Sequence, residues 1–115
     1  MAVQLKRVYL KPAKSDGCRI LVDRLWPRGL SKQKAKVDHW LRDIAPSTGL
    51  RKWYGHDPER WTEFQRRYRA ELKVRKDAVK ELKALLKQHR DVTFLFSSKE
   101  EELNNAAALK AYLRK

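Results

Sequence analysis

Cysteine is almost absent from this 115-residue chain: Cys18 stands alone. One cysteine excludes a disulfide framework and any multi-cysteine metal site. Glycine and proline number four each, and no low-complexity linker or internal repeat is present. No apolar run approaches the ~20 residues of a membrane span. The opening residues, MAVQLKRVYLK, hold no apolar central stretch of the kind a secretory signal needs. A cytoplasmic protein without membrane contact is expected. No G-x-G-x-x-G and no G-x-x-x-x-G-K occurs, so no cofactor is expected. His39 and His89 have no ligand pattern around them, so no metal is expected either.

What is present bounds the rest. The length suits one domain, residues 1–115, large enough to bury a real core. Apolar residues make up 42%, too many for a disordered tail. Charged residues make up 37%, with Lys and Arg outnumbering Asp and Glu by 28 to 14. The excess is uneven. Residues 1–37 hold ten basic and two acidic side chains, and residues 61–90 hold ten and four. The two remaining stretches are neutral. Such a protein attracts anions at long range. The plainer reading is solubility and ordinary lysine-rich helix faces.

Gln4 to Leu10 alternates loosely and predicts a strand. Pro12 and Ser15-Asp16-Gly17 mark a turn. Cys18 to Arg24 carries Ile20-Leu21-Val22, a run suited to a strand covered on both faces. Trp26-Pro27-Arg28-Gly29 then breaks regular structure. Ser31 is a candidate N-cap, and Val37, Trp40, Leu41 and Ile44 recur as one helical face. Pro46 ends that helix. Ser47 caps a short one bearing Leu50, Trp53 and Tyr54, which Gly55 terminates in the left-handed conformation. Asp57-Pro58-Glu59 starts another helix, with Trp61, Phe64, Tyr68 and Leu72 as its inner stripe. Asp77 is a candidate cap for the next, where Val79, Leu82, Leu85 and Leu86 face inward; the two could also be one kinked helix. Asp91 to Phe96 is the clearest strand. Ser98 and Glu101 make a capping-box pattern for the last helix, with Leu103, Ala107 and Tyr112 on its apolar side.

The order is strand, strand, helices, strand, helix. Long helical crossovers imply parallel neighbours. The expected fold is α/β: a small, mainly parallel sheet of about three strands with helices on its faces. In such sheets ligands bind at the carboxyl ends of the strands, which points to the segments after Arg24 and Phe96.

Arg24-Leu25-Trp26-Pro27-Arg28-Gly29 offers two guanidinium forks around a rigid Trp-Pro, a match for carboxylate or phosphate. The plainer reading pairs Arg24 with Asp23 or another acid and puts Trp26 in the core. Ser97-Ser98-Lys99 follows a strand, where free N–H groups favour anions. Glu100-Glu101-Glu102 would repel an anion there and would equally complement a helix dipole. His56 is a candidate general base or acid, with Asp57 beside it to orient the ring. Asp57 is equally a helix cap, and adjacency in sequence is not adjacency in space. Cys18 reads as a small buried hydrophobe. Lys73, Arg75, Lys76, Lys80, Lys83, Lys87 and Arg90, preceded by Arg66, Arg67 and Arg69, could track a nucleic-acid backbone. They lack interleaved aromatics on the same face and any zinc-finger or RNP motif.

The strings VDRLWPRGLSK, DIAPST, LRKWYGHDPERW and F-x-x-R-Y-x-x-E-L resemble the YeaO-like proteins, domain of unknown function 488. The resemblance runs from about Val8 to Leu113. It implies a small cytoplasmic α/β protein and supplies no substrate. Asp23, Arg24, Trp26, Pro27, Arg28 and Gly29 match its first motif. Arg51, Trp53, Gly55, His56, Asp57, Pro58, Arg60 and Trp61 match its second. The third departs. Relatives tend to read A-K-D-E-E-H-N-H-A after the last strand, and here Asn104 remains while the two histidine positions are Leu103 and Asn105. If those histidines bind metal or move protons in relatives, this chain lacks that chemistry.

The leading expectation is a small anionic ligand, phosphorylated small molecules included, held by Arg24 and Arg28 and walled by Trp26. Asp23, Arg51, Arg60 and Ser98 are further binding candidates, and Asn104 would orient a neutral polar group. His56 and Asp57 are the catalytic candidates. These residues do not separate an enzyme from a non-catalytic sensor. The alternative is a basic nucleic-acid-binding accessory protein, whose affinity would fall steeply with salt. A third is a partner-binding module with exposed aromatics, given four tryptophans.

Overall fold

In the computed structural model, which describes residues 2–114, four strands form one parallel sheet. They are β1 (Ala2–Arg7), β2 (Cys18–Leu21), β3 (His39–Trp40) and β4 (Asp91–Phe96), in the order β1-β4-β2-β3. Five α-helices connect or follow them: α1 (Lys32–Ala35), α2 (Thr48–Tyr54), α3 (Trp61–Val74), α4 (Lys76–Gln88) and α5 (Asn105–Leu113). The α/β class and the parallel pairing follow the sequence expectation, with one more strand. No helix of the described residues is long and apolar enough to cross a membrane.

The two faces of the sheet differ. Alternation along β2 and β4 puts Cys18, Ile20, Val22, Val92, Phe94 and Phe96 on one face. There Leu50, Tyr54, Phe64, Tyr68, Leu72, Val79, Leu82, Leu86 and Leu109 close the main core from four helices. On the other face Leu21 and Leu95 pack with Val8 and Ala35, half-covered by Trp26, Leu30, Val37 and Trp40. Near the amino ends that second face is polar. Asp16 and Arg19, 2% and 4% exposed, pair at 2.5 Å.

Gly17 makes this turn possible. Its φ is +66°, and a Cβ there would lie 2.2 Å from the Asp91 carbonyl oxygen. No other residue type fits so close to backbone.

Several expected boundaries move. The first strand ends at Arg7, because the backbone turns there and the Leu10 N–H donates to the Arg7 carbonyl. β2 ends at Leu21, although the Val22 N–H still reaches the Leu95 carbonyl. The helix expected to carry Val37, Trp40, Leu41 and Ile44 is not there. Ser31 does cap α1, accepting from the Lys34 N–H, but Lys36 turns left-handed and stops it. His39 and Trp40 then pair with Ile20 and Leu21 as β3. Trp40 packs on one sheet face and Leu41 on the other, so a helical period concealed an edge strand.

Asp77 does not cap α4. The break falls at Arg75, and Asp77 lies in the first turn of the helix. The Ser98–Glu101 capping box does not form either. α5 begins at Asn105, and Asn104 is its cap, accepting from the Ala107 N–H at 2.8 Å. Ser98 Oγ instead accepts from the Glu100 N–H, while the Glu100 carboxylate takes the N–H groups of Glu102 and Leu103. Leu103 therefore belongs to a loop, and Ala106, Ala108 and Leu109 are the buried residues of α5.

The 3-10 turn after β3, Arg42–Ile44, is held by side chains as well as by its own backbone bonds. Arg75 donates to the Asp43 and Ala45 carbonyls, Tyr68 to Ile44, and Arg24 to Ala45 and Pro46. Tyr68 is buried, and its hydroxyl sits 2.5 Å from the Ile44 oxygen. Burial pushes its phenol well above the usual range. Tyr68→Phe should leave that carbonyl unpaired and cost about 1–2 kcal/mol, read as a lower urea midpoint at unchanged m-value.

Candidate functional site

Loops from the carboxyl ends of all four strands converge on one cavity of about 340 Å³. Tyr9 comes from the segment after β1, residues 23–28 follow β2, Ala45 and Pro46 follow β3, and Ser97 and Ser98 follow β4. The end of α2 adds Arg51, Tyr54 and His56, and the start of α5 adds Asn104 and Asn105. This is where an open parallel sheet places ligands, and the volume suits a small one.

Asp23 ties the cavity together. Its Oδ2 accepts from the Ser97 N–H at 2.8 Å and the Ser97 hydroxyl at 2.7 Å. Its Oδ1 accepts from Asn105 Nδ2 at 3.0 Å, and its carbonyl accepts from the Trp40 indole at 2.8 Å. Through its carboxylate and its carbonyl, this one residue links the ends of β2, β3, β4 and the start of α5. Arg7 fixes the same loop from β1, donating to the Ser97 and Ser98 carbonyls.

The arginines divide by role. Arg24 spends Nε and one Nη on the Pro46 and Ala45 carbonyls at 3.2 and 3.1 Å, rather than on an acid. Arg28 and Arg51 are exposed and line the cavity, and neither guanidinium has a hydrogen-bond partner among the described residues. The Arg28 carbonyl is pinned by the Tyr9 hydroxyl at 2.9 Å. Trp26 donates to the Leu30 carbonyl at 2.6 Å and meets Trp40 edge-on, so it is both cavity wall and second-face cover.

His56 has a left-handed backbone, φ 58°, directly after Gly55 at φ 52°. Two left-handed residues in a row swing the ring back toward Ser98, whose Oγ lies 3.5 Å from Nδ1. Asp57 does not orient that ring. Its side chain accepts from the Glu59 N–H and lies 3.6 Å from Arg60. Arg60 in turn donates to the Trp53 carbonyl and stacks on the Trp53 ring. Neither Asp57 nor Arg60 lines the cavity. Asn104 is 1% exposed, and both ends of its amide are engaged, by the Ala107 N–H and the Glu100 carbonyl. It borders the cavity with its polar atoms already satisfied.

The fold thus gathers Asp23, Arg24, Trp26, Arg28, Arg51, His56, Ser98 and Asn104 and leaves Asp57 and Arg60 outside. Asn105 was not among the sequence candidates. Its amide also donates to the Val22 carbonyl at 3.0 Å. The signal in the sequence was its place in the third motif, where the chain departs from the pattern that the family resemblance implies.

Charge in the cavity is mainly positive, with three guanidinium groups against the Asp23 carboxylate. Glu100 stands on the same loop. The Leu103 and Glu102 N–H groups, helped by His56, hold its carboxyl below the usual value. The Tyr54 phenol closes the floor, donating to the Leu103 carbonyl at 2.7 Å. Burial, then Glu100 and Asp57, push it above the usual value.

The four parallel strands, with helices packed on them and a cavity at their carboxyl ends, define an α/β protein. The chain belongs to the inactive DUF488-N3 subclade, whose family model matches residues 2–115. It is 41% identical over 114 residues to the uncharacterised protein YeaO of Escherichia coli K12, across 99% of this chain and 98% of that one. It is 50% identical over 70 residues to the uncharacterised protein Rv3073c of Mycobacterium tuberculosis, covering 61% of this chain and 59% of that one. Mb3100c of Mycobacterium bovis matches to the same extent. No solved structure matches the chain.

Proposed function

We propose that the chain is a non-catalytic binding protein for a small anion, with Arg28 and Arg51 as the gripping groups. The observation that carries this reading is the pair of unpartnered guanidinium groups lining a small cavity at the strand ends. Arg24 adds fixed positive charge, and Trp26 and Tyr54 add walls. A carboxylate or phosphate offers the planar or tetrahedral oxygens that such forks match.

Binding is favoured over catalysis by three features. His56 has its hydrogen-bond contact with a hydroxyl, and no carboxylate bonds to its ring among the described residues. Asp57 is occupied as a cap. Asp23, the carboxylate lining the cavity, already accepts three hydrogen bonds. The subclade's description as inactive agrees with this.

The nucleic-acid reading has less support. Arg66 and Arg67 pair with Glu63, Arg69 donates to the Gln65 carbonyl, and Arg75 to the turn after β3. The tryptophans are all half-buried, which also weakens an aromatic partner surface.

The test is a thermal-shift panel at fixed moderate salt. It uses inorganic phosphate, small phosphorylated compounds, nucleotides, dicarboxylates and short oligonucleotides. A small anion should raise Tm. Each of Arg28→Ala and Arg51→Ala should weaken that anion about 10- to 100-fold, the size of one charge-assisted hydrogen bond of about 1.5–3 kcal/mol. No shift from any small anion, or a shift kept in the double variant, overturns the reading. A shift from oligonucleotides alone moves the function to the basic helices.

A further inference from the structure

The opposite end of the sheet carries a second cluster. Cys18 opens β2, His39 opens β3, and His89 ends α4 just before β4. They are far apart in sequence, so no ligand spacing reveals them. The sheet register brings them together. Cys18 and Ile20 are two residues apart on one strand and share a face. Ile20 pairs with His39 across the β2–β3 ladder. His39 therefore lies diagonal to Cys18 on the main-core face, and the end of α4 delivers His89 to the same place. Each residue offers one ligand atom, and the three atoms lie within 4.8 Å of one another.

We propose that Cys18, His39 and His89 form a transition-metal site of the zinc class, with one coordination position open to solvent. A thiolate and two imidazoles are the donors that zinc and cobalt prefer, at distances of about 2.0–2.3 Å. Tetrahedral coordination at those lengths spaces donor atoms about 3.5 Å apart. The gap from 4.8 Å is within side-chain rotation, since His39 is exposed and His89 half-buried. Neither imidazole makes a hydrogen bond among the described residues, so both keep their lone pairs available.

The surroundings favour a cation. His89 is the C-cap of α4, a 13-residue helix, and a helix's carboxyl end carries partial negative charge. Asp38, beside His39 in sequence, accepts from the Arg19 N–H next to Cys18 at 2.8 Å, which brings a carboxylate to the same strand ends. Cys18 is 6% exposed, while exposed His39 leaves the fourth position to water. Three protein ligands and an open place are the pattern of a reactive rather than a closed structural zinc site. The metal would also pin β3, a two-residue edge strand held by two register pairs.

This site is independent of the anion cavity, because it lies at the amino ends of the strands. The test is a Co²⁺ titration of tag-free, chelator-stripped full chain. One equivalent should give a sulfur-to-cobalt charge-transfer band with intense visible d–d bands, and Zn²⁺ should displace both. Cys18→Ser should abolish the charge-transfer band. His39→Gln, at an exposed position that does not threaten folding, should weaken Co²⁺ at least ~10-fold. Arg28→Ala and Arg51→Ala should leave the spectrum unchanged. No charge-transfer band from protein with a titratable reduced thiol overturns the proposal. So does a band of unaltered affinity in His39→Gln, whatever the fate of Cys18→Ser.

Discussion

Asp16→Asn is expected to lower folding stability by about 3–5 kcal/mol, the cost of stranding one partner of a buried ion pair. Asp16 accepts from Arg19 Nη1 at 2.5 Å, from Lys6 Nζ at 3.1 Å and from the Ala13 N–H at 2.9 Å. Arg19 is itself buried. Its other donors hold the Ala35 and Lys36 carbonyls at 2.7 and 3.0 Å, which anchors the end of α1 to β2. An amide at position 16 keeps the shape and removes the counter-charge. Arg19→Met placed on Asp16→Asn should recover part of the loss, because it removes the stranded cation. Urea unfolding of both variants measures this. A loss below ~1 kcal/mol for Asp16→Asn, in the range of an exposed pair, would show that water reaches the pair.

The same carboxylate sets an acid limit. Burial alone would raise its pKa, but the Ala13 N–H, Lys6 and Arg19 together hold it below its ordinary value. A folded value below the unfolded one means that stability is present above about pH 4 and is lost as pH falls through the folded value. The Asn variant should lack this part of the acid dependence.

Where one side chain and its neighbours decide the structure, the sequence was readable. Ser47 and Gly55 bracket α2, Asp57-Pro58 opens the turn into α3, and Trp61, Phe64, Tyr68 and Leu72 line the inner side of α3. DVTFLF is β4 residue for residue. Misreadings came where distant partners decide. The spacing of Val37, Trp40, Leu41 and Ile44 fits a helix, yet hydrogen bonds to β2 made His39-Trp40 a strand. The Ser98–Glu101 capping box failed for a different, local reason: the Glu100 carboxylate took the Glu102 and Leu103 N–H groups, and Asn104 took the cap.

The candidate site follows the same division. Strand-end logic placed the Trp-Pro-Arg loop and the segment after β4 at one cavity. It could not show that Arg24 would be occupied by carbonyls, because those belong to a turn held from α3 and its end by Tyr68 and Arg75. Nor could it give Asn105 a role, since Asp23 and Asn105 meet only when the ends of β2 and β4 lie side by side. The Cys18–His39–His89 cluster is the extreme case, with three elements and no local signature.

Asp23→Ala separates geometry from charge in the cavity proposed to bind an anion. Removing a carboxylate beside three guanidinium groups makes the cavity more positive, so charge alone predicts tighter anion binding. The opposite is expected. Asp23 holds Ser97 by its N–H and its hydroxyl, and holds Asn105 by its amide. Without it the ends of β2 and β4 lose their tie, and the walls that carry Arg28 and Ser98 are no longer fixed against each other. The loss of these charge-assisted bonds should cost about 2–3 kcal/mol of stability. Pre-organisation lost from the cavity is then paid again on binding. Asp23→Asn is the discriminating control. It removes the same charge but keeps one acceptor for Ser97, while its amide faces that of Asn105 donor to donor. Anion-induced thermal shifts should therefore fall in the order wild type, Asp23→Asn, Asp23→Ala. The reverse order would mean that net charge, not the lashing of strand ends, sets affinity, and that the cavity binds as a diffuse cationic patch.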